Sequence, residues 1–372
     1  MRILRVVSDL YPTVVGGIGI HAHEMSRIQS DMGNEVTVLT FAPKNAENLK
    51  KIDYKLIQIP FLFKLWGNTF SFSFPFEILK IKDNFDVIHA HSHLFFSTNI
   101  CAFIRKFNST PLIITNHGIM SASAPDWFNL LYLKTIGKWT LNAADGILCY
   151  TKDEKEKLIE ILHIDESKIF IIPNGVDTDQ FHPGTRNLDT DTINLLWVGR
   201  FVKGKGVEYI IRAMDILVKE YPNLHLILVG DGPEKDRICK MITDFKINDY
   251  VRIIDFIPYD EMPDIFQHSD IFILPSLNEG VPRTVLEAMS CGLPVVISDL
   301  SHLKDLIDGG GLMFQKKDVE GLSKILESII NDPAKREEMG QKARDKIVRD
   351  YSFMRTVART LEVYRDVIAN MN

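Results

Sequence analysis

The chain of 372 residues alternates short apolar runs with amphipathic stretches, and it does so in two successive series. The first series predicts strands at residues 2–8, 35–40, 55–59, 86–90, 112–116, 146–150 and 168–172. The second predicts strands at 193–198, 225–229, 251–254, 271–274 and 294–297, with helices near 205–220, 233–246, 260–267, 283–291 and 318–331. Apolar strands that alternate with helices indicate parallel sheets covered on both faces. We therefore expect an α/β chain with two tandem, doubly wound parallel-sheet domains.

A polar stretch rich in turn residues, Pro173–Pro183, separates the two series and is the best linker candidate. The predicted domains are residues 1–175 and 176–350, followed by an amphipathic helix within 351–372. In open α/β sheets, ligands bind outside the carboxyl ends of the strands. Two such edges facing each other across a cleft would place a binding site between the domains.

Composition excludes several classes of protein. The net charge of −6 gives no basic field for nucleic acid. The four cysteines have no metal-ligand spacing and are typical of buried thiols in a reducing compartment. Residues 1–8 predict a first strand rather than a signal peptide, and no apolar run is long enough to span a membrane. We therefore expect a cytoplasmic location.

The strongest chemical motif is the segment Pro275–Met289, which follows a predicted buried strand. It places Glu279 and Glu287 eight positions apart, about 12 Å along one side if the stretch were helical. That span suits the two ends of a nucleotide sugar, with a diphosphate at the helix N-terminus. A capping box formed by Ser276 and Glu279, with Glu287 on the surface, is the structural alternative. It is disfavoured because Pro282 suits a helix start near that point.

A second motif, Gly199–Gly206, follows the first strand of the second series and contains Arg200 and Lys205. Arginine offers phosphate oxygens a planar fork and lysine a point charge, so the pair can neutralise a diphosphate without a metal. Surface cations beside a turn are the alternative interpretation.

With these motifs the chain resembles the retaining glycosyltransferases of the GT-B fold, group one (glycosyltransferase family four), over residues 1 to about 370. The resemblance implies two Rossmann-like domains and a C-terminal helix that crosses back onto the first. It implies that Glu279 sits at the donor sugar, Glu287 binds the ribose hydroxyls, and Arg200 and Lys205 hold the diphosphate. The implied donor site includes further residues: Gly16, Gly17, Ile257, Val281, Pro282, Arg283 and Thr284.

Gly16–Gly19 opens the first predicted helix, and Gly17, Gly19 and Ala22 loosely match a dinucleotide-binding fingerprint. An NAD enzyme is disfavoured because Asp9–Val15 intervenes between the first strand and the glycines. The resemblance implies instead a loop over the donor phosphates; a purely structural turn is the alternative.

Histidines form the remaining candidate site. His117 ends a buried strand before a glycine turn, and the resemblance places a sugar-contacting histidine there; a merely structural role is the alternative. His89, His91 and His93 alternate, so they could point to one side as metal ligands. We expect no metal there, because no carboxylate lies at ligand spacing.

Three features depart from the family pattern and leave the donor open. Val281-Pro282 replaces a frequent aromatic-glycine pair. Pro282 has no N–H to donate to a phosphate, and the Arg283 side chain could donate in its place. Ser301–Lys304 replaces a glycine loop. Asp255 replaces a glycine near the expected nucleobase pocket.

Residues 61–76 are aromatic and lie within a stretch, 44–138, that carries more basic than acidic residues. Such a segment is typical of a membrane-surface patch or of a core helix pair with solvated lysines. We expect the first domain to face the acceptor, which is a glycan or a lipid-linked sugar. Peripheral attachment to the cytoplasmic face of the membrane is a further expectation that this segment leaves open.

The sequence therefore predicts a retaining, metal-independent hexosyltransferase without a cofactor, its donor a UDP or GDP sugar. Its predicted catalytic residues are Glu279, His117, Arg200 and Lys205. Closure of the domains about the linker would bring His117 and the glycine loop over the sugar. A sugar-nucleotide epimerase on the same fold and a non-catalytic membrane-surface binding module are the alternatives.

Overall fold

The structure is a computed structural model that describes residues 1–13, 16–42, 52–81, 84–121, 124–184 and 192–371. The chain divides into two compact units. The first comprises Met1–Pro173 and Met354–Asn372, and the second Asn174–Phe353. A search of these described ranges for a helix with the length and apolar character of a membrane span finds none.

The first unit is built on a parallel sheet with strand order β3-β2-β1-β6-β7-β8-β9. Its strands, including a separate hairpin of β4 and β5, are β1 (Arg2–Val6), β2 (Glu35–Ala42), β3 (Lys55–Pro60), β4 (Phe63–Leu65), β5 (Asn68–Phe70), β6 (Val87–His91), β7 (Leu112–Thr115), β8 (Gly146–Cys149) and β9 (Ile169–Ile171). Its helices up to that point are α1 (Gly17–Asp31), α2 (Phe74–Ile81), α3 (Phe96–Arg105), α4 (Asp126–Tyr132), α5 (Lys138–Ala143) and α6 (Lys152–Leu162). The strands predicted for the first series are thus confirmed to within a residue or two.

The second unit has a parallel sheet with strand order β12-β11-β10-β13-β14-β15. These strands are β10 (Ile193–Val198), β11 (Leu224–Val229), β12 (Val251–Ile254), β13 (Ile271–Leu274), β14 (Val295–Ser298) and β15 (Gly311–Phe314). The helices are α7 (Val207–Leu217), α8 (Lys235–Asp244), α9 (Met262–Gln267), α10 (Arg283–Ser290), α11 (Lys304–Ile307), α12 (Val319–Ile330) and α13 (Pro333–Asp350). The predicted doubly wound, Rossmann-like architecture is confirmed in both units.

The central strands bury apolar side chains on both faces because helices cover both sides of each sheet. In the first unit Leu4, Ile114 and Ile147 are fully buried, and in the second unit Leu196 and Ile273 are. Such side chains each contribute about 1.5–3 kcal/mol relative to an exposed position. This burial explains why the strands read as continuous apolar runs.

Local signals in the sequence set several helix ends. Helix α1 is followed by Gly33, whose φ of +82° is a conformation that favours glycine. Helix α6 begins after Thr151, whose hydroxyl accepts a hydrogen bond from the Glu154 N–H at 3.1 Å. Gly33 and Thr151 therefore set the end of α1 and the start of α6.

The last helix, α14 (Phe353–Ala369), packs on the first unit, as the fold prediction requires. The Tyr364 hydroxyl bonds His89 Nδ1 on β6, and Val367 lies against Gly146 at the start of β8. The first unit is therefore assembled from two separate stretches of chain.

The predicted linker Pro173–Pro183 is packed along most of its length. From Asn174 onward it belongs to the second unit, where Phe181 is fully buried and its carbonyl oxygen accepts from the Arg344 guanidinium at 2.8 Å. The Val176 N–H donates to the Tyr351 carbonyl oxygen at 3.0 Å.

The prediction of a helix pair in the aromatic segment 61–76 is wrong. Strands β4 and β5 pair as an antiparallel hairpin, with Phe63 and Phe70 stacked at 5.0 Å. Its turn residues Trp66 and Gly67 have φ of +49° and +78°, the backbone of a two-residue hairpin turn. Only α2 continues the segment as a helix.

Candidate active site

The second unit places its two sequence motifs on neighbouring loops. Strands β10 and β13 pair in parallel, so their carboxyl ends lie at one edge of the sheet. The chain builds β11 and β12 on one side of β10 and then crosses to the other side for β13. Open α/β sheets bind ligands at such a reversal of strand order. The segments 199–206 and 275–282 follow these two strands.

An ion pair and close backbone contacts join the two loops. Lys205 Nζ lies 2.6 Å from Glu279 Oε1, and these side chains keep 31% and 13% of their surface exposed. The Leu277 N–H donates to the Gly204 carbonyl oxygen at 2.7 Å. Gly206 has φ of +72°, and a Cβ there would lie 2.2 Å from the Pro275 carbonyl oxygen. The structure thus brings together two predicted site residues 74 positions apart in the chain.

Arg200 shares the first of these loops but has a different environment. Its side chain is exposed, and within the described part of the chain its guanidinium makes no hydrogen bond or ion pair. The loop therefore presents one cation in an ion pair, Lys205, and one that is available to an anionic ligand.

Glu279 lies on a loop, as predicted, and the capping-box alternative is wrong. Helix α10 begins at Arg283, and its N-cap residue Pro282 has extended backbone. Ser276 is buried seven residues earlier, and its hydroxyl oxygen finds no partner in the described part of the chain. Glu279 is therefore held by Lys205 rather than by a helix end.

Glu287 is a buried residue, so the surface alternative is wrong for it. Only 4% of the residue is exposed, and its Oε1 lies 3.3 Å from Arg283 Nε, one helical turn earlier. Burial raises the pKa of Glu287, an effect that the positive charge of Arg283 opposes. The Arg283 guanidinium also donates to the Tyr259 hydroxyl. Arg283 is thus held by Glu287 and Tyr259, and its expected role in place of a Pro282 N–H stays a prediction.

The other predicted donor residues of this unit lie on loops around the same sheet or, for Thr284, in the first turn of α10. Val281 and Thr284, on either side of the α10 start, are partly buried, and so is Ile257 in the loop after β12. Asp255, which replaces a glycine of the family pattern, pairs with Lys235 Nζ at 2.6 Å. His302, from the segment that replaces the glycine loop, donates from Nε2 to the Gly280 carbonyl oxygen at 3.0 Å.

The first unit carries the glycine motif at the start of α1. Gly16 is the N-cap residue in extended conformation, and Gly17 is the first helical residue; both are exposed. Gly19 is needed for packing, because a Cβ there would lie 2.9 Å from the Asp9 carbonyl oxygen. The helix N-terminus therefore offers N–H groups at the surface of this unit.

His117, just after β7, is held by two neighbours. Its Nε2 lies 3.0 Å from His91 Nδ1, and its Nδ1 lies 3.0 Å from the Tyr150 hydroxyl. Burial lowers the pKa of His117 to about 3, so the ring is neutral near pH 7. Tyr150 was not predicted from the sequence; its place at the end of β8, next to β7 in the sheet, was the available signal.

The alternating histidines are part of a hydrogen-bond network. His89 and His91 are fully buried and face Arg5, whereas His93 lies beyond β6 and bonds Asn116 Oδ1 at 2.8 Å. The three rings therefore do not converge on one point. Within the described ranges, no group of three or more His, Cys, Asp or Glu residues could hold a metal ion.

Comparison with known proteins matches this architecture. Residues 15–180 match the family model "Glycosyltransferase Family 4", and residues 179–346 match "Glycosyl transferases group 1". The chain is 21% identical to the phosphatidylinositol N-acetylglucosaminyltransferase gpi3 subunit of Schizosaccharomyces pombe, covering 99% of this chain and 81% of the relative. It is 24% identical to a glycogen synthase of Mycobacterium tuberculosis, over 98% and 94%.

Among solved structures, the chain is similar to HepE of Anabaena, crystallised with UDP. The TM-score is 0.80 at 18% identity, and the similarity covers 98% of this chain and 100% of that one. At this identity the likeness shows the fold alone. Taken with the two family models, which follow one another along the chain, it identifies the protein as a GT-B glycosyltransferase of group one, family four.

Proposed function

We propose that this protein is a retaining, metal-independent hexosyltransferase that moves a sugar from a nucleotide-diphosphate donor to an acceptor hydroxyl. The observation that carries the proposal is the pairing of Lys205 with Glu279 where the strand order of the second sheet reverses. A cation for a departing phosphate and a carboxylate for an electron-poor sugar carbon lie within 2.6 Å of each other. Both belong to the second unit, so the donor is assigned to it.

The two cations of the first loop are the proposed diphosphate site. Arg200 and Lys205 supply two positive charges, which match a diphosphate without a bound metal or other cofactor. Fixed charges that stabilise a leaving group are commonly the largest catalytic contribution. In this proposal Lys205 contacts both Glu279 and the diphosphate, and Arg200 binds the diphosphate from solvent.

Glu287 is the proposed ribose anchor. Its contact with Arg283 keeps the side chain in one orientation, and carboxylate oxygens accept hydrogen bonds from a pair of hydroxyls. Ile257, Val281, Pro282, Arg283 and Thr284 complete the donor site in this proposal.

His117 is the proposed sugar contact from the first unit, and Gly16 and Gly17 are proposed to contact the donor phosphates. A helix N-terminus with exposed N–H groups favours such anions. These roles come from the family resemblance and are tested separately from those of the second unit.

The donor assignment is tested by thermal unfolding of the full chain with UDP, GDP and ADP. A ligand that binds only the folded state should add about 2.7 kcal/mol at a hundred times its Kd. The double variant Arg200→Ala/Lys205→Ala should lose this response and at least about 100-fold in turnover. Lys203→Ala, an exposed lysine of the same loop, is the matched control. Wild-type turnover in the double variant would refute the diphosphate site.

The reaction type is tested by product analysis. Incubation with donor alone should give no epimerised nucleotide sugar, and transfer to an acceptor should retain the anomeric configuration. Accumulation of an epimer would favour the epimerase alternative. Inversion at the anomeric carbon would contradict the retaining assignment.

The acceptor is proposed to be lipid-linked, because the first unit exposes apolar side chains where a soluble domain usually carries polar ones. On α4, Trp127, Leu130 and Leu131 lie at helical spacing with 67%, 48% and 57% of their surface exposed. Trp66 of the hairpin packs on Phe128 at 4.7 Å and so joins the two elements. We call this surface, Leu62, Phe63, Leu65, Trp66, Trp127, Leu130 and Leu131, the apolar face.

An exposed lysine beside the apolar face also fits a membrane surface. Lys134 follows Leu131 on the outer side of the helical segment, and aromatic side chains beside lysine are typical of interfacial helices. One relative named above carries a lipid, phosphatidylinositol, in its name, and the other is a glycogen synthase. The exposed surface therefore supports a membrane acceptor in this proposal.

Vesicle binding tests the acceptor assignment. Lys64 pairs with Asp9 at 2.6 Å and Trp66 packs on Phe128, so substitutions there would also disturb packing. Trp127→Ser/Leu131→Ser is the cleaner variant and should reduce co-sedimentation with anionic phospholipid vesicles while sparing donor binding. Val348→Ser, an exposed apolar position of the second unit, is the control. Unchanged vesicle binding and unchanged use of lipid acceptors would refute this part of the proposal.

A further inference from the structure

Arg5, in the middle of β1, is a fully buried cation surrounded by neutral groups. Its Nε donates to Ser26 Oγ at 2.8 Å, and its Nη2 donates to the side-chain oxygen of Gln29. Its Nη1 lies 3.0 Å from His89 Nδ1 and 3.1 Å from His91 Nε2. No carboxylate in the described part of the chain pairs with it. Because a guanidinium only donates, both ring nitrogens must accept.

This requirement fixes the tautomer of each linked histidine. His89 accepts at Nδ1, so its proton is on Nε2, which lies 2.7 Å from Thr115 Oγ1. His91 accepts at Nε2, so its proton is on Nδ1 and is donated to His117 Nε2 at 3.0 Å. His117 then carries its own proton on Nδ1, which faces the Tyr150 hydroxyl at 3.0 Å. The hydrogen bonds from Arg5 through His91 and His117 to Tyr150 are thus satisfied with neutral rings, and the Tyr364 hydroxyl, which also bonds His89 Nδ1, must donate to that nitrogen.

The surroundings keep the rings neutral. Burial, and then the charges of Arg5 and its histidine neighbours, hold the pKa of His89 and that of His91 well below the usual value. The titratable groups that face this chain are Tyr54, Tyr150, His21 of α1, whose ring lies 5.3 Å from that of His117, and Tyr364 of α14. None of them is a carboxylate that would favour an imidazolium.

We infer that Arg5 is a positioning residue for sugar transfer, which acts through His91 to hold His117 as the neutral tautomer with its proton on Nδ1. The inference rests on the proposed role of His117 at the sugar. In this state His117 offers a sugar hydroxyl one N–H donor, in place of its bond to Tyr150, and it is not a general base. Arg5 and His91 need not touch the substrate.

The tautomer is measured directly by nitrogen NMR of ring-labelled histidines in the full chain, with His117→Gln used to assign the signal. His117 and His91 should show protonated Nδ1, His89 protonated Nε2, and none should titrate between pH 5.5 and 8. Protonated Nε2 on His117, or its titration in that range, overturns the inference. This measurement needs no sugar transfer, so it is independent of the proposed function.

Two substitutions of His91 separate positioning from packing. The amide nitrogen of His91→Asn occupies the place of Nδ1 and still donates to His117, so the His117 tautomer should persist. His91→Leu removes that donor, so His117 should become a mixture of tautomers. In Arg5→Gln, whose amide can donate or accept, the same mixture is expected. An unchanged His117 signal in both His91→Leu and Arg5→Gln would refute the mechanism.

The link to transfer is read from kinetics. Loss of one aligned hydrogen bond, about 1.4 kcal/mol, should lower kcat about tenfold in His91→Leu with little change in KM for the donor. His91→Asn should recover most of that loss. A mixed tautomer with wild-type kcat would show that Arg5 is only structural. If the wild type transfers no sugar from any donor, the proposed function fails although the tautomer result stands.

Discussion

Replacement of Glu154 by glutamine should change how stability depends on pH. This carboxylate, in the first turn of α6, accepts hydrogen bonds from the Asn116 side chain and from the N–H groups of Tyr150 and Gly118. Burial nevertheless raises its pKa to about 7, because loss of solvation outweighs the three donors. Glu154 thereby anchors the turn that presents His117, and it can bind a proton near neutral pH.

The sign and size follow from linkage. A rise from the ordinary value of 4.5 to about 7 corresponds to about 3 kcal/mol, at about 1.4 kcal/mol per pKa unit. The folded state binds this proton more tightly than the unfolded chain. The stabilising contribution of Glu154 is therefore complete below pH 4.5 and is lost as the pH rises through 7. Glu154→Gln does not titrate and should lack this dependence.

The assay is urea unfolding of the full chain, followed by fluorescence at several pH values from about 5 to 8.5. The free energy of unfolding of the wild type, minus that of Glu154→Gln, should fall by about 2.5 kcal/mol across this pH range. Glu156→Gln, at an exposed position of the same helix, is the matched control. The reasoning is refuted if the difference in free energy of unfolding between the wild type and Glu154→Gln stays level or rises with pH. The hydrogen bonds to Glu154 would then offset or outweigh the effect of burial on its pKa.

Three further outcomes are expected. Gly206→Ala should destabilise the second unit by at least about 1 kcal/mol, because Gly206 has a positive φ and a neighbouring carbonyl oxygen fills the Cβ position. The control Gly280→Ala, at an open position, should leave the thermal midpoint unchanged. Glu287→Leu should cost about 3–5 kcal/mol in urea unfolding because it leaves Arg283 buried without its anionic partner, and adding Arg283→Met should recover much of that loss. EDTA should leave sugar transfer unchanged; activity restored only by Mg²⁺ or Mn²⁺ would show that the two loop cations do not suffice.

The sheets could be predicted because their strands are apolar on both faces, but several elements were not, among them β15, α13 and the hairpin. Strand β15 follows Gly309 and Gly310, which are typical of a loop. Helix α13 buries only a narrow stripe that includes Met339, Ala343 and Ile347, too sparse to read as an amphipathic pattern. The hairpin is aromatic on both strands, so its alternation is hidden.

The candidate site was predictable where residues are close in sequence and not where the fold brings them together. The loop position of Glu279 followed from Pro282, a local signal. The contact of Lys205 with Glu279 depends on β10 lying beside β13, which no local pattern specifies. Arg5 reads as an outward-facing strand residue, and it is buried only because β1 lies beside β6, in register with His89. Contacts that depend on which strands lie side by side could therefore not be predicted from the sequence.

The place of α14 in the first unit has a consequence for the order in which a growing chain can fold. Arg5 and His89 are synthesised early, but Tyr364, which bonds His89, comes after the whole second unit. At about 5–20 residues per second, the chain between Pro173 and Tyr364 takes roughly 10–40 s to synthesise. During that interval the side of the sheet that receives the last helix is uncovered, and the sequence of the second unit is completed before that of α14. The first unit to be synthesised is thus the last to be completed.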